Sequence, residues 1–256
     1  MAATITNIID IIVRGFNNSF IVQDRWRLWL SGLEMTLLIT FFALLMGLVI
    51  GLFISVIRVS YDTLEKPNMI LRILNRIVTI YVSVIRGIPV IVQVLLWSFV
   101  LLAASRNHLL IGSMVFGVNS GAYVSEVFRG GITSIDKGQT EAGRSLGLSY
   151  MQTMIRIILP QAIKNCLPAF GNEFISLLKE TSVASVGAIT EITHVQNIIR
   201  GRTFDPSPLF FVAAIYLILV LFLEFLVRIM EKKLSKSDMR VKKIKRTGLR
   251  VYETHD

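Results

Sequence analysis

Apolar residues in this chain come in long unbroken runs separated by short polar stretches. Met35 to Ile57 contains no charged residue at all, and a helix crossing the hydrocarbon of a bilayer needs about 20 such residues. A second run, Ile77 to Ser105, is interrupted only by Arg86, and a third, about Leu109 to Phe128, only by Glu126. A fourth, about Cys166 to Thr190, contains Glu173, Lys179 and Glu180, and the last, Leu209 to Val227, contains Glu224. The pattern predicts an all-α, polytopic integral membrane protein with five transmembrane helices. Ahead of the first span, Ile5, Ile8, Ile9, Ile12, Val13 and Phe16 recur at i, i+3, i+4 spacing, with Asn7, Asp10 and Arg14 elsewhere on the wheel. That rhythm predicts a helix lying along the membrane surface. Gly47, Gly51 and Ser55, four residues apart, allow a neighbouring helix to approach the first span closely.

One polar segment is too ordered for an idle loop. Between Glu141 and Ala162 the pattern predicts two short helices joined at Gly147, with Met151, Met154, Ile155 and Ile158 forming an apolar stripe that ends at Pro160. Glu141, Ala142 and Gly143 carry almost no side-chain bulk beyond the one carboxylate, so a partner's backbone can come close to this turn. The chain therefore divides into an N-terminal amphipathic segment (1–30), a membrane domain (31–230, with the polar loop at about 133–165) and a basic tail (231–256).

Composition agrees with lipid as the main solvent. Of 256 residues, 53% are hydrophobic and 17% charged, against about 25% charged in soluble domains, and the mean hydropathy is +0.64. A net charge of +10 would suggest a nucleic-acid partner in a soluble protein, but no aromatic platform or binding motif accompanies it. The charge is better explained by the bias of Lys and Arg to cytoplasmic loops. Arg58, Lys66, Arg72 and Arg76 follow span one, Arg129, Lys137, Arg144, Arg156 and Lys164 follow span three, and the tail is richly basic. These segments fall on one side, so the N-terminus is expected outside and the C-terminus in the cytoplasm. The first basic residue is Arg14 and no small-residue cleavage site follows an apolar run, so a retained N-terminus is expected. A lone cysteine, Cys166, excludes an internal disulfide.

The segment EAGRSLGLSYMQTMIRIILPQAI resembles the coupling (EAA) loop of ATP-binding-cassette importer permeases, with Gly143 in place of the motif's second Ala. SVIRGIPVIVQ (83–93), AYVSEVFRGGI (122–132), KGQ (137–139), LPQA (159–162) and LLKETSV (177–183) are similar, in the same order, to blocks of the polar amino acid uptake subfamily. The resemblance covers roughly residues 32–230. It implies a permease of a bacterial cytoplasmic membrane whose loop docks in a separate ATPase, with Gly138, Glu141, Ala142, Gly143, Gly147 and Pro160 as coupling residues. The implied assembly has two ATPase subunits carrying ATP and Mg, a second permease (a copy or a paralogue) and an extracytoplasmic binding protein that delivers an amino acid. This chain has no G-x-x-x-x-G-K-[ST] phosphate cradle, so no cofactor is expected on it and no enzymatic activity of its own. The alternative is a secondary transporter or channel without an ATPase; such proteins need coupling-ion sites and often carry internal repeats, neither of which is seen.

Charges within the spans each need a partner or a task, because an ionised side chain near the bilayer centre costs roughly 2.5 to 3.5 kcal/mol on insertion scales. Arg86 lies nine residues into the second run, roughly 14 Å along a straight helix and so near the midplane. Pro89 cannot donate to the helix ladder, so the Ile85 carbonyl is freed and a bend or unwinding is expected beside the guanidinium. Arg86 then either binds a carboxylate or serves structure, capping freed carbonyls or pairing with Glu126 or Glu180. Gln93 either lines the same cavity or packs; Glu126 either binds an ammonium or pairs with Arg129. Lys179, Glu180 and Thr181 are adjacent, point in different directions and must reach other helices or water. An amino acid carries both a carboxylate and an ammonium, so a pathway with both signs of charge suits it. His108, His194 and His255 fall in loops or the tail, and no metal-ligand cluster is expected.

Overall fold

In a computed structural model, residues 13–64 and 66–252 are described, with side chains as far as residue 234. Most of the surface helix expected at the N-terminus lies outside them. The described residues form helices and connecting turns, with no strand among them.

Helix α1 (Trp26–Thr63) is 38 residues long and extends past both ends of the predicted span. After a short turn, α2 (Met69–Gly87) begins at Asn68, whose side chain accepts from Leu71 N. Next, α3 (Val90–Leu96) runs on through a π-helical turn, Trp97–Leu101. The predicted bend is real and large, since the α2 and α3 segments meet at 103°. Helix α4 (His108–Thr133) is capped by Asn107. Gly47 and Gly51 of α1 face it; a Cβ on Gly47 would lie 2.6 Å from Ser120 Oγ, and one on Gly51 2.6 Å from Val124 Cβ. The small-residue spacing thus serves packing within the chain.

Two short helices follow, α5 (Lys137–Ser145) and α6 (Tyr150–Thr153). Helix α6 continues through a π-helical turn, Met154–Ile158, into α7 (Leu159–Glu180). The second helix therefore does not end near Ala162 but runs on to Glu180, past Pro160, where the apolar stripe ends. That proline sits in the first turn of α7, and the wider π turn just before it accommodates a residue with no N–H to give. A 3-10 turn, Thr181–Gly187, leads to α8 (Ile192–Thr203) and α9 (Ser207–Tyr252).

Length and apolarity alone qualify α1, the Ser207–Leu234 part of α9 and, as a bent pair, α2 with α3 as membrane spans. Helices α4 and α7, with 26 and 22 residues, are long enough but carry more small and polar residues. Helix α4 packs against α1, α2 and α7, and α7 against α1, α4 and α9, which reduces the need for an apolar surface on every side. A core of Ile39, Ala43, Val94, Val115, Phe116 and Leu177 joins α1, α3, α4 and α7. A second, around Trp29, Ile192, Val195 and Ile199, seats α8 on the start of α1, where the Trp29 indole donates to Ser19 O at 2.9 Å.

Candidate functional site

The residues singled out by sequence fall at three places. The first is the corner between α2 and α3. Pro89 leaves carbonyls without helical donors, and the Gln93 side-chain amide covers them, donating to Ile85 O and to Ile88 O, both at 2.8 Å. Asn119 of α4 donates in turn to Gln93 Oε1 at 3.4 Å. Gln93 is 3% exposed, so its polar atoms are spent on the corner rather than on a cavity wall.

Arg86, at the same corner, is ion-paired with Glu126 of α4. Arg58 of α1 stands 3.9 Å from the other side of that carboxyl, and Arg129 lies 3.7 Å from Asp62. In the structure the guanidinium closes the end of α2, just before the 103° turn, beside Arg58 and Glu126, so the pairing with Glu126 is the one formed. The Arg86 and Glu126 side chains remain 50% and 35% exposed, leaving a partly open pair of opposite charges.

The second place is at the other predicted charges. Lys179 is exposed and borders a cleft of about 380 Å³ with Asn172, Ser176, Glu224 and Arg228, while Glu180 ends α7. Glu224 and Arg228 pair at 2.9 Å, as their one-turn spacing predicts. Thr181 is fully buried, its hydroxyl donating to Leu178 O at 2.7 Å and standing 3.5 Å from Tyr216 Oη. The corner and this cleft are thus separate, and Thr181 reaches neither.

Two buried carboxyls lie outside the residues expected at the site. Glu173, 8% exposed, accepts from Ser120 at 2.7 Å between α7 and α4; in the sequence it registers only as a flaw in an apolar run. Glu191, fully buried, caps α8 by accepting from Thr193 N at 2.8 Å and His194 N at 2.7 Å, and also accepts from Tyr216 at 3.0 Å. An acidic residue immediately before a helix is a recognisable start signal. Burial pushes its carboxyl up to about 7, against the opposing pull of those hydrogen bonds.

The third place is the elbow. Asp136 caps α5 through Gly138 N at 2.8 Å, so the first short helix starts four residues before Glu141. It ends as a Schellman turn: Leu148 N bonds Gly143 O at 3.2 Å and Gly147 N bonds Arg144 O at 2.9 Å. Gly147 has φ of 79°, in the left-handed region. Ser149 and Gln152 then form a reciprocal capping box that opens α6. Glu141, Ala142, Leu146 and Gly147 face outward, Leu146 being 80% exposed. Gly143 faces inward, where a Cβ would lie 2.7 Å from Thr153 Cγ2. Behind the elbow lies a cleft of about 340 Å³ lined by Asp62, Thr133, Lys137, Tyr150, Met154 and Ile158, among others. An exposed leucine on a tightly capped, small-residue turn is a shape for insertion into another surface.

Residues 47–236 match the family described as binding-protein-dependent transport system inner membrane component. A putative glutamine transport system permease protein of Rickettsia bellii is 36% identical over 81% of this chain and 93% of its own length. A probable glutamine ABC transporter permease protein of Bacillus subtilis is 34% identical over 86% of this chain and 99% of its own. A chain in the crystal structure of an amino acid ABC transporter with histidines superposes with a TM-score of 0.73 and 36% identity, covering 84% of this chain and 98% of that one. The MetNI methionine ABC transporter, at 21% identity and a TM-score of 0.68, shares the fold.

Proposed function

We propose how this chain works from its membership: it belongs to the binding-protein-dependent transport system inner membrane component family, and it is a multi-pass permease subunit of an ATP-binding-cassette importer for amino acids. It forms half of a translocation pathway that a second permease, identical or paralogous, completes. Two ATPase subunits holding ATP and Mg dock from the cytoplasm, and an extracytoplasmic binding protein delivers the substrate. The observation that carries the coupling role is the elbow, where Gly147 and the Schellman turn hold Leu146 and Glu141 outward on a short rigid helix.

Closure of the ATPase pair moves α5, and the helices attached to it reorient around the shared cavity. Along that cavity Arg86 and Glu126 offer partly exposed charges of both signs, matched to the carboxylate and ammonium of an amino acid. Lys179 and Glu180 supply a second such pair of signs at the end of α7. Gln93 and Thr181 support these groups from within the protein rather than touching the solute.

Two experiments test this reading. A tagged chain co-purifies with its ATPase, and the combined substitution Glu141→Lys and Gly147→Val is expected to abolish the co-purification while the permease remains folded. In cells, uptake of a panel of labelled amino acids is expected to cease when the ATPase is deleted; uptake that persists would favour a secondary transporter.

A further inference from the structure

We propose that Gln93 and Asn119 form one half of a two-point clasp that fastens the α2–α3 corner to α4, and that this clasp transmits movement from the coupling loop to Arg86. Gln93 and Asn119 are thus positioning residues. The inference rests on the importer reading above.

Consider what the corner requires. The helix ladder breaks at Gly87–Pro89, within a run too apolar for water to be a dependable substitute partner. One side chain meets that need from inside the fold: Gln93 donates to Ile85 O and Ile88 O at 2.8 Å each. A glutamine carries two amide hydrogens and one carbonyl. Both hydrogens are thereby committed to the corner, and the carbonyl is left to face α4, where Asn119 donates to it at 3.4 Å. The residue that holds the corner's shape is therefore also the one that ties it to α4.

The second tie is the Arg86–Glu126 ion pair. Asn119 and Glu126 are seven residues apart in the same helix, so they stand two turns apart on one face of α4. Two attachments along one helix face resist rotation as well as sliding, where a single contact leaves the corner free to pivot. Helix α4 ends at Thr133 and α5 begins at Lys137. The three residues between are braced, with Ser134 N on Gly130 O at 2.9 Å and Ile135 N on Ile132 O at 3.2 Å. A displacement of α5 therefore reaches α4 with little slack, and through the clasp it reaches the guanidinium. If Gln93 only repaired a broken ladder, Asn119 would be dispensable.

The test uses the full importer in proteoliposomes, measuring uptake of the amino acid carried by the unaltered complex together with ATP hydrolysis. Gln93→Leu, Asn119→Leu and the double variant are compared. Each is expected to lower uptake per ATP hydrolysed on the order of tenfold, within the range of ordinary coupling energies. Hydrolysis should stay within about twofold and the KM for the amino acid should hold, since a positioning residue transmits movement without binding solute. The double variant should be no worse than the worse single one, because both substitutions break the same link. Asn119→Leu leaves the Ile85 and Ile88 carbonyls capped, so it decides the matter if Gln93→Leu does not assemble. Unchanged uptake per ATP in Asn119→Leu overturns the clasp while leaving the importer reading intact, and so does a parallel fall of uptake and hydrolysis. Uptake by the unaltered complex without ATP hydrolysis overturns both.

Discussion

Gly143 shows how a departure from a motif becomes intelligible once its neighbours are known. In sequence it is a lost methyl; in the structure there is no room for that methyl. Thr153, directly opposite, is fully buried with its hydroxyl bonded to Ser149 O at 3.0 Å, so it cannot turn aside for a Cβ. Gly143→Ala is expected to destabilise the elbow by about 1 to 3 kcal/mol, the usual cost of overpacking, read as a lower Tm of the purified chain in detergent. Gly147 has open space around it, so Gly147→Ala meets only the backbone penalty of its positive φ, about 1 kcal/mol. It should lower the Tm less than Gly143→Ala while weakening ATPase co-purification, because it changes the angle between α5 and α6. The turn at Gly147 was legible from spacing alone. The crowding at Gly143 was not, because Thr153 comes into contact only after the chain doubles back.

Among the elements, α8 has a consequence for pH. Glu191 lies between the fourth and fifth apolar runs, and burial raises its carboxyl from an ordinary 4.5 to about 7. A raised acid means that the folded chain holds a proton the unfolded chain releases. The associated stability is fully present below about pH 4.5 and is lost as pH rises through about 7, up to about 3 kcal/mol. Thermal stability in detergent is therefore expected to fall between pH 5 and pH 8, and Glu191→Gln, which keeps an acceptor for the α8 amides, should flatten that slope. The α2–α3 corner was legible in part. Pro89 announces a break, but a proline does not state the angle, nor that Gln93 will cap the carbonyls it frees. Pro160, by contrast, lies in a continuous helical run because the π turn just before it absorbs the missing N–H, so the same residue type had different outcomes in two contexts.

For the whole molecule, the expected orientation rests on charges spread over several loops. The orientation proposed from them puts Phe204, 91% exposed at the end of α8, outside, and Leu146 of the elbow inside. Cys166, the sole cysteine, is 2% exposed, so it contributes little background labelling. In intact cells a membrane-impermeant maleimide is expected to label Phe204→Cys and not Leu146→Cys, with the pattern reversed in inverted vesicles. Labelling of Leu146→Cys from outside would reverse the topology and remove the elbow from reach of a cytoplasmic ATPase.

Properties that depend on which residues are near one another along the chain were readable before any fold was known. They include the all-helical, membrane-embedded class, the elbow of two short helices at Gly147, the break at Pro89 and the Glu224–Arg228 pair. Helical period, the thickness of lipid and the absent N–H of proline act over a few residues or a single span. Only the tertiary structure decided that Arg86 meets Glu126, that Gln93 faces Asn119, and that Glu173 and Glu191 are buried with hydroxyl partners. Those outcomes depend on how helices distant in sequence cross, and a 103° turn redirects every side chain beyond it.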